Sequence, residues 1–267
     1  MMRLINNNWK MIGKPAFIGL VISISVIVGL AVWAARPTAK EHVLANYSTS
    51  LRGRSQAQIH NLNLAINQID GYILYPGKTF SFVEVVGPWT ADMGYQKAPV
   101  SYDGELIRDW GGGVCQASST LYNAALLAGL KIEERHRHHW PAKYAPVGRD
   151  AAVAYSSVDL KFTNTTPAPI RIAGEIKGDT ISFCLLSKHE PTYRVWVESQ
   201  VVSIIKPGEV ILSGSADHGR LKLLNKGQPG FHVVTYRCFE HPGKTRREIV
   251  SDDTYPAMNK VVQVVER

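Results

Sequence analysis

A cysteine lies where a glycine-rich loop is predicted to become a helix. Gly111, Gly112 and Gly113 permit positive φ angles and close backbone approaches, and the Ala- and Leu-rich run after them is typical of a helix. Cys115 is therefore expected in the first turn, where unpaired amides and the helix dipole favour a thiolate. Such settings lower a cysteine pKa from about 8.5 to roughly 3.5–7.5. Cys115 is thus a candidate nucleophile, and the alternative is a small buried residue at a tight helix start.

Three histidines in the next segment offer a general base. Residues 131–140 read KIEERHRHHW. As a strand, this segment places His136 and His138 on one face and His139 on the other. A cysteine at a helix start needs a base from a neighbouring element. We assign that role to His138, and His139 remains the alternative.

Two aspartates are candidates for orienting this histidine. Residues 144–150 read YAPVGRD, a turn pattern that would return residues 151–155 beside the histidines. Asp150 is the preferred partner, and Asp159, expected on the following strand, is the alternative. The order cysteine, histidine, aspartate is that of transglutaminase-like and other papain-related cysteine enzymes. The same roles recur on many folds, so the geometry must decide.

The other predicted site residues surround the cysteine. Gln116 and the amides after Gly113 are assigned to stabilise an oxyanion, because donors aimed at developing charge favour the transition state. The predicted substrate-binding residues are Gly111, Gly112, Gly113, His136 and Ser118. Cysteine and histidine are zinc ligands, but neither a Cys-x-x-Cys pair nor a His-Glu-x-x-His helix accompanies them. We therefore predict no metal and no cofactor.

The charge of the chain favours an anionic partner. The 267 residues carry a net charge of +8, which suits a membrane surface or an acidic wall polymer. The sequence contains no zinc-finger spacing, RNA-binding aromatic signature or unbroken basic helix, so nucleic acid is not expected. A non-catalytic module that grips a wall polymer through its basic, His-rich segment is the alternative to an enzyme.

The N-terminal sequence predicts a membrane segment. Residues 16–35 are uncharged and just long enough to span a bilayer as a helix. Arg3, Lys10 and Lys14 precede this run, which keeps the N-terminus cytoplasmic by the positive-inside rule. The prediction is a single-pass cell-membrane protein whose bulk lies outside the cytoplasm. The alternative is a cleaved signal peptide.

Exported proteins form disulfides, and this chain has three cysteines. Cys184 and Cys238 lie in separate strand-like segments. We consider them as partners across a domain boundary, which would leave Cys115 as the free thiol.

Hydrophobic spacing adds elements upstream of the cysteine. Residues 54–69 have a helical period with Ser55 as N-cap, and Gly71 ends that helix. A Pro76-Gly77 turn follows within a hairpin-like stretch. The predicted fold class is α+β: a mixed helix and antiparallel-sheet core with the cysteine at a helix N-terminus, a small C-terminal β domain and one transmembrane helix.

Longer motifs resemble a known family. The run GGGVCQASSTLYNAALLAGLKIEERHRHHW, followed by YAPVGRDAAV and DLKFTN and preceded by PGKTFSF, closely resembles the VanW family. The resemblance covers residues 47–186. It implies an exported bacterial envelope module, from a family named after glycopeptide (vancomycin) resistance gene clusters and generally described as having no known activity.

The family motif can be mapped onto this chain. Its Gly-Gly-Gly-x-Cys-Gln and its downstream His and Gly-Arg-Asp fall on Gly111, Gly112, Gly113, Cys115, Gln116, His138, Gly148, Arg149 and Asp150. His139 departs from the family pattern, in which this position is often small and polar. Both rings of the His-His pair therefore stay open as the one that faces the cysteine.

The last third of the chain resembles a second module. Residues 230–265 have alternating strands around a Pro242-Gly243 turn and resemble the G5 type of small β domain, often found beside VanW in wall-associated proteins. We expect residues 1–15 in the cytoplasm, 16–35 in the membrane, 36–50 as a tether, 51–189 as the VanW domain and 190–267 as the G5-like domain. The functional hypothesis is a protein acting on or near peptidoglycan as a cysteine-dependent acyl transferase or amidase.

Overall fold

The computed structural model describes residues 40–102, 105–155, 157–212 and 220–265. Residues 41–267 form one compact unit. Strands account for 50% and helices for 16% of the structure, and the sheets are mostly antiparallel. The predicted α+β class with a mixed core is therefore wrong. Three helices pack on a protein that is mainly β-sheet.

The helices lie in the first half of the described chain. They are α1 (Gln56–Ile69), α2 (Phe82–Val86) and α3 (Val114–Leu127). Ser55 caps α1, with its side chain accepting from the Gln58 amide while the Gln58 side chain accepts from the Ser55 amide. The predicted N-cap is confirmed, and the buried face of α1 includes Leu62 and Ile66, four residues apart.

Nine strands accompany these helices. They are β1 (His42–Ser50), β2 (Ile73–Leu74), β3 (Thr79–Ser81), β4 (Lys97–Tyr102), β5 (Glu105–Trp110), β6 (Lys131–Glu134), β7 (Lys161–Thr163), β8 (Ile170–Lys177) and β9 (Thr180–Ser187). The order β1-β9-β8-β2 forms one antiparallel sheet, β3-β7-β6 a second, and β4-β5 a hairpin. Both α1 and α3 pack on the four-stranded sheet. The core therefore sits between these two helices and that sheet.

The remaining strands form two further sheets. They are β10 (Arg194–Ile205), β11 (Glu209–Leu212), β12 (Arg220–Gln228), β13 (Gly230–His241), β14 (Lys244–Tyr255) and β15 (Met258–Val265). The antiparallel order β10-β13-β14 makes one sheet, which we call the C-terminal sheet. In the other, β15 pairs in parallel with β11 and antiparallel with β12. The predicted β character of this region is confirmed, and its division from the first domain at residue 190 remains a prediction.

The start of α3 depends on glycine geometry. Gly113 has φ 109° and ψ −31°, and a Cβ there would lie 2.8 Å from the backbone oxygen of Gln58 in α1. A Cβ on Gly112 would lie equally close to the Ala98 backbone. The predicted need for positive φ and close approach is therefore confirmed at Gly113, because only glycine fits between α1 and the first turn of α3.

Substituting Gly113 tests this packing. We expect Gly113→Ala to lower the free energy of unfolding by about 3 kcal/mol, because strain and a clash with backbone act together. Gly77→Ala is the matched control, since Gly77 also has positive φ but open space around its Cα. Strain alone should cost about 1 kcal/mol there. Equal midpoints in urea unfolding would contradict the close packing at Gly113.

The structure also bears on two predictions about the wider chain, the membrane helix and the disulfide. No helix in the described part of the chain is long and apolar enough to cross a membrane. The predicted single-pass membrane localisation is contradicted on this finding, and residues 16–35, on which it rested, lie outside the described residues. The Cys184–Cys238 pairing is also wrong, because Cys115, Cys184 and Cys238 are all free thiols.

Candidate active site

The nucleophile candidate stands at the helix start that the sequence predicts. Cys115 is the second residue of α3, and its thiol donates to the Val153 carbonyl oxygen at 3.5 Å. The side chain is partly exposed. Among the described residues, no acceptor pairs with the backbone amide of Cys115. This amide is therefore available at the positive end of the helix dipole.

The histidine reaches the cysteine from the segment after β6. The strand ends at Glu134, earlier than predicted. The segment that follows pairs with the returning chain through an isolated antiparallel bridge between His136 and Ala152. This return places Asp150 beside His138. The Nδ1 atom of His138 lies 2.5 Å from Asp150 Oδ2, and its backbone amide donates to the same oxygen at 2.7 Å.

Asp150 is buried and accepts from several directions. Its side chain is 1% exposed. Besides His138, Arg135 Nη2 donates to Oδ1 at 3.2 Å, and the Tyr255 hydroxyl donates to Oδ1 at 2.5 Å. Burial raises the pKa of Asp150, but the hydrogen bond and charge of His138, followed by the charge of Arg135, outweigh it and bring the pKa to about 2. The carboxylate is ionised at neutral pH, so the His138 Nδ1 must carry the proton.

The cysteine and histidine shift each other's pKa. Burial raises the pKa of the Cys115 thiol, but the proximity and positive charge of His138 outweigh burial and set the pKa below its ordinary value. Burial lowers the pKa of His138, while its hydrogen bond with Asp150 and the nearby Cys115 thiol raise it to about 10. Both shifts favour a thiolate beside an imidazolium over two neutral groups.

The pair opens into a cavity of about 950 Å³. Its lining includes Cys115 and His138, and the other described lining residues are Gly53, Arg54, Gln58, Pro99, Val100, Gly111, Gly113, Gln116, Trp140, Pro141, Ala142, Lys143, Tyr144, Asn225, Gln228 and Met258. Among the described residues, the lining holds the cations Arg54 and Lys143 and neither aspartate nor glutamate. A cavity of this size with converging polar groups is the usual setting of a small-molecule or peptide site.

Not all predicted residues have the contacts that their assigned roles require. The Gln116 side-chain nitrogen donates to Thr49 Oγ1 at 3.0 Å and to the Ser50 carbonyl at 2.8 Å. Both of its amide protons are therefore engaged with β1 and its end. Ser118 is fully buried, and its hydroxyl contacts the Ala151 and Cys115 carbonyls instead of the cavity. Gly111 and Gly113 line the cavity, whereas Gly112 packs on Ala98.

The alternatives among the histidines and aspartates are separated by geometry. His136 is exposed and contacts Glu134 at 3.0 Å, outside the cavity lining. His139 is exposed and stacks edge-on with Trp140. Asp159 caps α2 by accepting from the Val83 amide at 2.9 Å and from Ser81 at 2.6 Å. Only His138 and Asp150 of these candidates lie together with the cysteine.

Several contributors to this site could not be found from the sequence. Tyr144 donates to the Cys115 carbonyl at 3.1 Å, and the Arg54 guanidinium lies 4.9 Å from the Tyr144 ring centroid. Arg135 and Tyr255 bind Asp150. Arg135 is part of the His-rich motif, so its position offered a signal, but Tyr255 lies 105 residues from Asp150 in the chain and offered none. Within the described ranges, no three His, Cys, Asp or Glu side chains are grouped as metal ligands.

Cys115 at a helix start, His138 in the same cavity lining and Asp150 bonded to His138 are the residue types that nucleophilic catalysis by a cysteine requires. Residues 57–186, which include all three, match the family described as VanW like protein. This part of the chain is therefore similar to the VanW family, and the resemblance predicted from its motifs is confirmed over these residues.

Curated relatives cover the same region. The chain is 40% identical over 144 residues to the uncharacterized protein YoaR of Bacillus subtilis (strain 168), covering 54% of this chain and 48% of that protein. It is 32% identical over 120 residues to the vancomycin B-type resistance protein VanW of Enterococcus faecalis (strain ATCC 700802 / V583), covering 43% of this chain and 44% of that protein. The chain thus matches about half the length of each relative.

Two solved structures that are similar to part of the chain are G5 domains. HP0197-G5 is 19% identical with a TM-score of 0.19, covering 27% of this chain and 97% of the domain. The G5 domain of an IgA1 protease is 20% identical with a TM-score of 0.21, covering 29% of this chain and 96% of the domain.

Proposed function

We propose that this protein is a cysteine-dependent acyl transferase or amidase that acts on the peptides of peptidoglycan. The observation that carries the proposal is that Cys115 and His138 line the same open cavity, with His138 bonded to the buried Asp150. Each residue has the chemistry that its role requires: a thiol with a lowered pKa, an imidazole between thiol and carboxylate, and a buried ionised carboxylate.

The proposed reaction follows from these positions. The Cys115 thiolate attacks a peptide carbonyl, and the developing oxyanion accepts from the Cys115 backbone amide. The free nitrogen of the His138 imidazolium then gives its proton to the leaving amine as the C–N bond breaks, which leaves a thioester on Cys115. An incoming amine or water attacks the thioester, His138 accepts its proton, and the thiolate is regenerated.

Gln116 does not stabilise the oxyanion in this scheme, although its position in the sequence predicted that role. Because its side-chain nitrogen already donates to Thr49 and Ser50, the backbone amide of Cys115 takes the oxyanion role. Gln116 instead ties the first turn of α3 to β1. Ser118 and Ser119 tie the same turn to the Ala151 carbonyl, next to Asp150. The nucleophile and its orienting carboxylate are thus linked by short buried hydrogen bonds.

The charge of the cavity supports an anionic substrate. Arg54 and Lys143 line it together with His138, and none of the lining residues that the structure describes is acidic. Peptidoglycan peptides carry carboxylates, which such a wall attracts. One relative is named for vancomycin resistance, and this name together with the VanW domain supports a role at the cell wall.

The test is to trap the acyl-enzyme. The full chain is incubated with purified muropeptides, and both the protein and the muropeptides are then analysed by mass spectrometry. We expect a thioester-linked peptide on Cys115 and a changed muropeptide profile, with neither in Cys115→Ala. Unchanged muropeptides and an unmodified Cys115 in the wild-type protein would contradict the proposal.

A non-catalytic wall-binding module is the second candidate. The cationic cavity, which also contains Trp140 and Tyr144, is the observation that favours it, because such a lining binds an anionic polymer without any reaction. In that case, peptidoglycan binding should be equal in the wild-type protein and in Cys115→Ala, and neither protein should alter the muropeptides.

A further inference from the structure

The C-terminal sheet contacts the buried side of the candidate site. Tyr255, the last residue of β14, is fully buried and donates to Asp150 Oδ1. The same hydroxyl accepts from the Gly148 amide at 3.1 Å. Tyr255 therefore binds both the carboxylate and the turn from which that carboxylate projects, so two hydrogen bonds fix one side of Asp150.

A second residue of β14 binds the other partner of Asp150. Asp253 accepts from Arg135 Nη1 with both carboxylate oxygens, at 2.8 and 2.6 Å, while Arg135 Nη2 donates to Asp150. The side chains of Arg135 and Asp253 are 7% and 10% exposed. Interactions among such buried charges are little screened by water. Asp253 therefore neutralises Arg135. The negative charge of Asp150 can then stabilise the His138 imidazolium.

The cavity is also lined both by residues of the matched VanW region and by residues of the strands that follow it. Asn225 and Gln228 on β12 and Met258 on β15 line it together with Cys115 and His138. Strands that follow the matched VanW region, residues 57–186, thus contribute to the buried support of the candidate triad and also to the wall of its cavity.

We propose that β14 completes the active site by supplying two positioning residues, with Tyr255 holding Asp150 in the orientation that engages His138 and Asp253 holding Arg135. The inference rests on the proposed function, because it concerns how Cys115 is activated. It goes beyond that function by making the C-terminal sheet part of the catalytic apparatus, so that the matched VanW region by itself would be incomplete.

The two residues should act on the cysteine in opposite directions. Without the Tyr255 hydroxyl, Asp150 is free to turn away from His138, the imidazolium loses support, and the pKa of Cys115 rises. Without the charge of Asp253, Arg135 is no longer balanced, and its positive potential lowers the pKa of both His138 and Cys115. General destabilisation would not produce shifts of opposite sign.

The experiment measures the pH dependence of iodoacetamide labelling at Cys115 in the full chain, with each cysteine followed by peptide mass spectrometry. Tyr255→Phe is expected to move the midpoint upward by half to one pH unit, a loss of about threefold to tenfold in labelling rate below the midpoint. Asp253→Asn is expected to move it downward. Tyr122→Phe is the matched control, because Tyr122 is equally buried and its hydroxyl has no hydrogen-bond partner among the described residues. Cys184 serves as the reference thiol in the same molecule, since burial raises its pKa.

The outcomes separate this inference from the proposed function. Profiles of Tyr255→Phe and Asp253→Asn that coincide with the wild type, when the wild-type thiol responds to His138→Ala, would overturn the positioning role alone. Both proposals would be overturned if the wild-type Cys115 titrated at the free value and its labelling midpoint did not change in His138→Ala. If Tyr255→Phe does not fold, the sign of the shift in Asp253→Asn decides the inference.

Discussion

Replacing Asp150 by alanine is expected to lower the free energy of unfolding by about 3–5 kcal/mol, because it leaves the largely buried His138 imidazolium without its partner. Asp150 accepts from His138 twice, from Arg135 and from Tyr255, and its side chain is 1% exposed. Alanine removes the acceptor for all four donors. Urea unfolding at pH 7 measures the effect.

Asp159→Ala is the matched control for this substitution. Asp159 is also buried and also accepts from both a side chain and a backbone amide, but its donors are Ser81 and Val83 at the start of α2 and do not include His138. Loss of a helix cap costs about 1–2 kcal/mol. A smaller loss of stability in Asp150→Ala than in Asp159→Ala would contradict the central place of Asp150 in the buried network.

The second large effect concerns turnover of muropeptides. We expect His138→Ala and Cys115→Ala each to lower the rate by at least about 10³-fold, and the double variant to be no slower than the slower single variant. The reason is that a thiol and its base act as one unit, so removing either removes the same step. Cys184→Ala is the control and should retain wild-type turnover, because Cys184 lies on β9 outside the cavity lining.

The comparison of the double variant is the decisive part of this experiment. If the rate loss of the double variant equalled the product of the two single losses, Cys115 and His138 would act in separate steps. The proposed pairing would then be wrong. Turnover is followed as the appearance of released or transferred peptide, with circular dichroism to confirm that each variant is folded.

Local signals in the sequence predicted the parts of the site that depend on neighbouring residues. The triple glycine and the Ala-rich run placed Cys115 at a helix start, and the turn after Tyr144 correctly returned the chain beside the histidines. Both features arise from backbone preferences within a few residues, so periodicity and turn chemistry are enough to find them.

Long-range contacts explain what the sequence could not predict. The amide of Gln116 turns to Thr49 on β1, and Asp150 is bound by Tyr255 on β14, contacts that depend on sheets assembled from distant strands. The fold class was misjudged for a related reason. The helices carry the conspicuous apolar periodicity, whereas many of the strands are short or pair with partners far along the chain, so their share of the structure was underestimated.

The central claim is that His138 activates Cys115, and the pH profile of Cys115 alkylation in the wild-type protein and in His138→Ala tests it most directly. The thiolate–imidazolium pair should exist from the lowered pKa of Cys115 up to the pKa of His138, at about 10. Labelling of the wild-type thiol should therefore remain rapid below pH 8 and fall at low pH as the thiolate is protonated. In His138→Ala the midpoint should move up toward the free value, about 8.5. A wild-type midpoint already at that value, unchanged by the substitution, would contradict the account.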